Sequence, residues 1–123
     1  MGLLYEDLTE KIRQAAFEVH KYFGTGFLEK VYENALKYKL EKYRFVVFQQ
    51  HQIPVYFIDN IKVGDYYADL FVENKIIIEL KTAKDLEPIH FAQIKNYLKA
   101  TNLKLGLLIN FGTPRLQFKR IIL

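Results

Sequence analysis

The sequence has no cysteine, one methionine, three prolines and six glycines in 123 residues. Without cysteine there is neither a disulfide framework nor a thiolate zinc site, and a reducing compartment, the cytoplasm, is the expected address. No apolar run approaches the ~18 residues of a membrane span, and no basic start leads into an apolar stretch with a small-residue cleavage site. A protein with no membrane partner is therefore expected. Internal repeats, low-complexity segments and linkers are also missing, and the length suits one domain over residues 1–123. Neither charge sign dominates: 18 Lys and Arg against 14 Asp and Glu leave a net charge of +4. That excess favours a polyanion, although a solvated lysine-rich surface produces it as well. Apolar material is abundant, at 50% of residues with nine Tyr and ten Phe, so a packed core can offset the entropy of folding.

Periodicity divides the chain into helices and strands. From Asp7 to Phe23 the apolar residues Leu8, Ile12, Ala15, Ala16, Val19 and Phe23 recur at helical spacing, with Asp7 and Glu10 placed to cap the start. Gly24-Thr25-Gly26 breaks the pattern. A second amphipathic helix over Phe27 to Lys42 carries Leu28, Val31, Tyr32, Ala35, Leu36 and Leu40 on the side that should dock on a sheet. Strands are predicted at Phe45 to His51, Ile53 to Ile58, Gly64 to Val72 and Lys75 to Lys81, the last two forming a hairpin through Glu73-Asn74. A third helix over Glu87 to Ala100, with Pro88 in its first turn, precedes strands at Leu103 to Phe111 and Leu116 to Leu123. The order implies an α/β (α+β) fold, a mixed β-sheet flanked by helices: hairpins pair antiparallel, and a strand-helix-strand crossover pairs parallel. Periodicity does not supply the strand order.

The hairpin holds two carboxylates in apolar surroundings. Ile76-Ile77-Ile78 marks a strand covered on both faces, so Glu79 falls where water is scarce, and Lys81 shares its face. Asp69 lies in the equally apolar Tyr66 to Val72. A three-residue loop, Glu73 to Lys75, puts Asp69 opposite Glu79, whereas a two-residue loop removes it from that face. Buried carboxylates need a partner. A divalent cation would turn their repulsion into binding, and Lys81 could then orient water or stabilise charge on a phosphate. A structural Asp/Glu/Lys ion-pair cluster is the alternative. Glu29 and Glu33 share a face of the second helix and could add a third carboxylate, or pair with Lys30 and Lys37 in solvent. Gln93 and Tyr97, four apart on the third helix, could contact phosphate or water, or be a surface amide and a core aromatic.

Together these residues resemble the GxxExxY proteins of the PD-(D/E)XK nuclease superfamily over nearly the whole chain. Gly26-Phe27-Leu28-Glu29-Lys30-Val31-Tyr32 matches the naming motif, Asp69 with Glu79-Leu80-Lys81 matches the bipartite metal motif, and Gln93-Ile94-Lys95-Asn96-Tyr97 is similar to a downstream exonuclease motif. Gly106 to Gly112 resembles the strand that closes the family's domain. The family's motif has proline before its aspartate, where this chain has Ala68. The resemblance implies a restriction-endonuclease-like core with Mg²⁺ or Mn²⁺ held by Asp69, Glu79 and a helical glutamate, Glu29 ahead of Glu33. It also implies that Lys81 is the catalytic lysine and Gln93 an accessory site residue.

The expected function is metal-dependent hydrolysis of a nucleic-acid phosphodiester, with DNA placed ahead of RNA as the partner. Lys37, Lys39, Lys42, Lys84, Lys95, Lys99, Lys104 and Lys119 are available for backbone contacts that carry little sequence readout. The rival is a non-catalytic nucleic-acid-binding or protein-assembly module that keeps the fold, which an exposed tyrosine-rich apolar patch would favour.

Overall fold

The computed structural model describes residues 2–123. Helix α1, Glu6–Phe23, buries Ile12, Ala15, Ala16 and Val19, and α2, Glu29–Lys42, buries Tyr32, Leu36 and Leu40. Strands β1 (Val47–Phe57), β2 (Ile61–Val72) and β3 (Ile76–Lys81) form an antiparallel meander. Helix α3, Pro88–Thr101, crosses over to β4 (Leu105–Asn110), which runs parallel to β3, and β5 (Gln117–Ile122) closes the sheet antiparallel. The sheet order is β1-β2-β3-β4-β5. Among the described residues, no helix is long and apolar enough to cross a membrane.

Both faces of the central strands are covered, as the isoleucine run implies. Helices α1 and α2 pack over Leu70, Val72, Ile76, Ile78, Leu80, Leu107 and Ile109. On the other face α3 brings Ile94, Tyr97 and Leu98 onto Phe71, Ile77 and Leu108. The approach there is close at Gly106, where an added Cβ would lie 2.7 Å from Ile94 Cδ1.

Two local expectations fail. The cap predicted at Asp7 does not form: the residue preceding α1 is Tyr5, with φ 53° and no side-chain cap, and Asp7 lies exposed in the first turn. Tertiary tethers hold this end instead, because Arg120 of β5 donates to Thr9 Oγ1 at 2.8 Å and to the Leu4 carbonyl at 2.7 Å. The strands expected at Phe45 to His51 and Ile53 to Ile58 are one continuous strand, β1. Gln52 pairs in register with Tyr67, and its side-chain amide donates to Asp65 at 2.8 Å, so this polar residue does not break the ladder.

The meander is uneven. Strands β1 and β2 have 11 and 12 residues, yet β3 pairs only with Leu70 to Val72 of β2. Beyond that point the first two strands continue as a two-stranded ribbon, turning through Ile58–Asn60. A register shift between Val55 and Tyr56 interrupts its pairing.

Candidate active site on the central hairpin

The chain from Glu73 to Lys75 forms the three-residue loop, with Glu73 and Asn74 both at φ 54° and the Lys75 amide donating to the Val72 carbonyl at 3.0 Å. Val72 therefore opposes Ile76, and Leu70 opposes Ile78. One step further the carboxylates replace the ladder. The Asp69 amide donates to Glu79 Oε1 at 3.0 Å, and the Leu80 amide donates to Asp69 Oδ2 at 2.8 Å. Each carboxylate thus spends one oxygen on the opposite backbone, which locks the two acids side by side.

The desolvation is severe. Glu79 is 5% exposed, and burial, followed by the neighbouring Asp69 charge, pushes its carboxyl up to about 8. Burial also raises Asp69, opposed mainly by the hydrogen bond from the Leu80 amide. Neither acid is salt-bridged to a Lys or Arg among the described residues; the nearby ion pair is Lys30 with Glu33, at 2.8 Å.

Helix α2 delivers its glutamates through a turn built by the Gly26-to-Tyr32 segment. Gly26 adopts φ 103°, which strains any residue with a Cβ. The Tyr32 hydroxyl donates to the Gly24 carbonyl at 2.6 Å and accepts from the Phe27 amide at 3.3 Å, while its ring stacks on Phe111 with centroids 4.6 Å apart. This staple sets where α2 begins, and Glu29 is its first residue. Burial raises the Glu29 carboxyl, the Asp69 charge raises it further and the Lys81 charge opposes. Glu33 is 2% exposed and already engaged, accepting from Lys30, Gln49 and Gln50. Of the two helical acids, Glu29 is the one without such partners.

Lys81 Nζ donates to Gln93 Oε1 at 3.4 Å, and Gln93 Nε2 donates to the Tyr97 hydroxyl at 2.9 Å. Hydrogen bonds thus tie Asp69 to the Glu79 strand and Lys81 to Gln93, with Glu79 and Lys81 two residues apart on β3, while Glu29 opens α2. Burial, and next the Glu79 charge, pushes the Tyr97 hydroxyl up to about 12, which keeps it neutral.

Two participants escaped sequence reasoning. Gln50 bridges the acids of helix and hairpin: its amide nitrogen lies 3.2 Å from Asp69 Oδ1 and 3.1 Å from Glu33 Oε1. To do so it takes φ 52° inside β1, a strained conformation for a non-glycine residue. Asn110, wholly buried opposite Lys81, accepts from the amides of Ala83 and Gly112 and donates to the Ala83 carbonyl and to Gln117, using its full hydrogen-bonding capacity. It fixes the chain leaving the lysine. The only sequence signal for either was an amide in a strand, which reads as a side chain turned to solvent.

Asp69 Oδ1 and Glu79 Oε2 are not taken by the hairpin backbone. This hard oxygen donor set, buried and short of positive charge, fits a hard divalent cation. It is not a closed cage: among the described residues, no three His, Cys, Asp or Glu side chains stand in metal-binding geometry.

A helix-flanked mixed sheet whose central hairpin carries an Asp and a Glu-x-Lys at its end defines a nuclease-type core. The family profile described as PD-(D/E)XK nuclease superfamily matches residues 6–121, and the chain belongs to that superfamily. Its nucleases typically use divalent metal ions. Comparison with curated proteins returns no match. Among solved structures, the protein titled "Crystal structure of SSO0001" is similar with a TM-score of 0.59 at 19% identity, over 96% of this chain and 59% of that one. The likeness concerns the fold alone, and this chain spans about three-fifths of that protein's length.

Proposed function

We propose that the protein is a metal-dependent nuclease that hydrolyses nucleic-acid phosphodiester bonds, DNA ahead of RNA, within the GxxExxY group that Gly26, Glu29 and Tyr32 resemble. The observation that carries the reading is the Asp69–Glu79 pair: two buried acids held together by reciprocal backbone bonds, neither of them salt-bridged among the described residues. Such a pair destabilises the fold unless positive charge arrives. Asp69, Glu79 and Glu29 would hold Mg²⁺ or Mn²⁺, which when bound polarises the phosphoryl oxygen and acidifies water.

The remaining residues act around that centre. Lys81, half-buried and tethered to Gln93, puts a positive charge beside the acids, where it can stabilise negative charge growing on the phosphate. Gln93, braced by Tyr97, limits where the lysine can swing. Gln50 orients Asp69 through Oδ1 and is a positioning residue.

The test combines calorimetric titration with Mn²⁺ and cleavage of single-stranded, duplex and branched substrates. Asp69→Asn should lose both ion binding and cleavage. Lys81→Met should keep ion binding and folding while losing at least about a hundredfold in turnover, because its role is in chemistry. Equal Mn²⁺ binding by the native protein and Asp69→Asn would remove the site, and cleavage with it. An unfolded Lys81→Met would point to a structural ion-pair cluster instead.

A further inference from the structure

Beside the carboxylates, a cleft of about 760 Å³ opens between α3 and the β1–β2 ribbon. Tyr56 and Tyr66 come from the ribbon, and Gln93, Asn96, Tyr97 and Lys99 from the helix. We propose that this cleft takes the unpaired bases of a single-stranded nucleic acid by stacking on Tyr66 and Tyr56, so that the substrate reaches the Asp69–Glu79 centre as a single strand. The proposal rests on the nuclease reading of that centre and adds the form of its substrate.

Four observations carry it. The cleft is continuous with the site, because Gln93 belongs to both: it accepts from Lys81 and donates to Tyr97. Its aromatic floor is already arranged, with the Tyr66 and Tyr97 rings 5.6 Å apart at 44°, while Tyr66 and Tyr56 remain 52% and 58% exposed. The ribbon is shaped for this. Neighbouring strand residues normally point to opposite faces, yet Val55 and Tyr56 both line the cleft, and the register shift falls between them. Finally, the lining includes Lys99 and no Asp or Glu, although acids stand just behind it, which suits a ligand that is aromatic in its bases and anionic in its backbone.

A paired duplex presents phosphates outside and hides its base faces, so it gains little from such a floor. An unpaired base offers its π-face, and aromatic stacking of this kind tolerates any sequence. The side-chain amides of Gln93 and Asn96 can meet base edges. DNA and RNA single strands share this chemistry.

The experiment measures binding to oligonucleotides containing 2-aminopurine, in EDTA so that no cleavage occurs, with single-stranded DNA, single-stranded RNA and duplex arms. The expected result is fluorescence quenching on binding at least one single strand, with affinity roughly tenfold above that for duplex. Tyr66→Ala and Tyr56→Ala should each weaken single-strand binding by roughly tenfold, and Tyr66→Phe, which keeps the ring, should restore it. Asp69→Asn should still quench. Tight duplex binding with Tyr66→Ala and Tyr56→Ala unchanged overturns the proposal, even if Asp69→Asn abolishes cleavage and the nuclease reading stands. Quenching that depends on the tyrosines, in a protein that cleaves nothing, supports the cleft and removes the nuclease reading.

Discussion

At the scale of single residues, the Asp69–Glu79 pair couples function to instability. The Glu79 carboxyl lies near 4.5 when exposed and is pushed up to about 8 in the folded protein by burial, then by Asp69. The folded state therefore binds more protons than the unfolded chain between those values. The stabilising protonation is complete below the lower value and is lost as pH rises through the upper one. Metal-free protein should melt highest near pH 5 and progressively lower toward pH 8 and above. Glu79→Gln keeps an acceptor for the Asp69 amide without the charge, so it should flatten that dependence and raise stability at pH 8 by about 2 kcal/mol while abolishing cleavage. Melting curves at pH 5 and pH 8 check this; a variant with the native slope would show that Glu79 does not carry the titration. The two acids were legible from residue identity, but whether they face each other hung on the hairpin loop, which residue types left at two or three residues and which the structure gives as Glu73 to Lys75. Gln50 was not legible, because neither its positive φ nor its bond to Asp69 leaves a mark on composition. Glu33 reads locally as a solvated partner of Lys30, and that pair forms, but Gln49 and Gln50 close over it.

Among elements, helix and strand periodicity located all three helices and the central strands, because packing on both sides of a sheet imposes those periods. Ends were less legible. The start of α1 depends on Arg120, more than a hundred residues away, and the continuity of β1 depends on pairing with β2. The connection leaving β3 shows how tightly elements are fitted around the site. Phe111 donates its amide to the Lys81 carbonyl at 2.8 Å, and an added Cβ at Gly112 would lie 2.4 Å from the Ala83 carbonyl oxygen. That neighbour is backbone and cannot rotate away. Gly112→Ala should therefore cost about 2 kcal/mol or more by forcing the segment after Lys81 outward. Chemical denaturation measures the loss; a variant as stable as the native protein would mean that this segment moves freely.

Across the whole molecule, stability is unevenly distributed. The central strands are paired on both edges and covered on both faces, whereas the outer part of the β1–β2 ribbon pairs only with itself, and Phe57, Ile58, Ile61 and Val63 are exposed. A two-stranded ribbon is marginal by itself. Native-state hydrogen exchange should find the amides of Ile76 to Leu80 and Leu105 to Ile109 opening only with global unfolding, and those of Tyr56 to Gly64 exchanging orders of magnitude faster. Uniform protection would contradict this division. The order of strands in the sheet follows their order in the chain, so each strand can dock on one already made. The bonds from Arg120 to Thr9 and to the Leu4 carbonyl are different, because they span separations of 111 and 116 residues. During synthesis α1 emerges well before β5 and must wait for it before that clasp can close, so a strand made about a hundred residues later secures this helix.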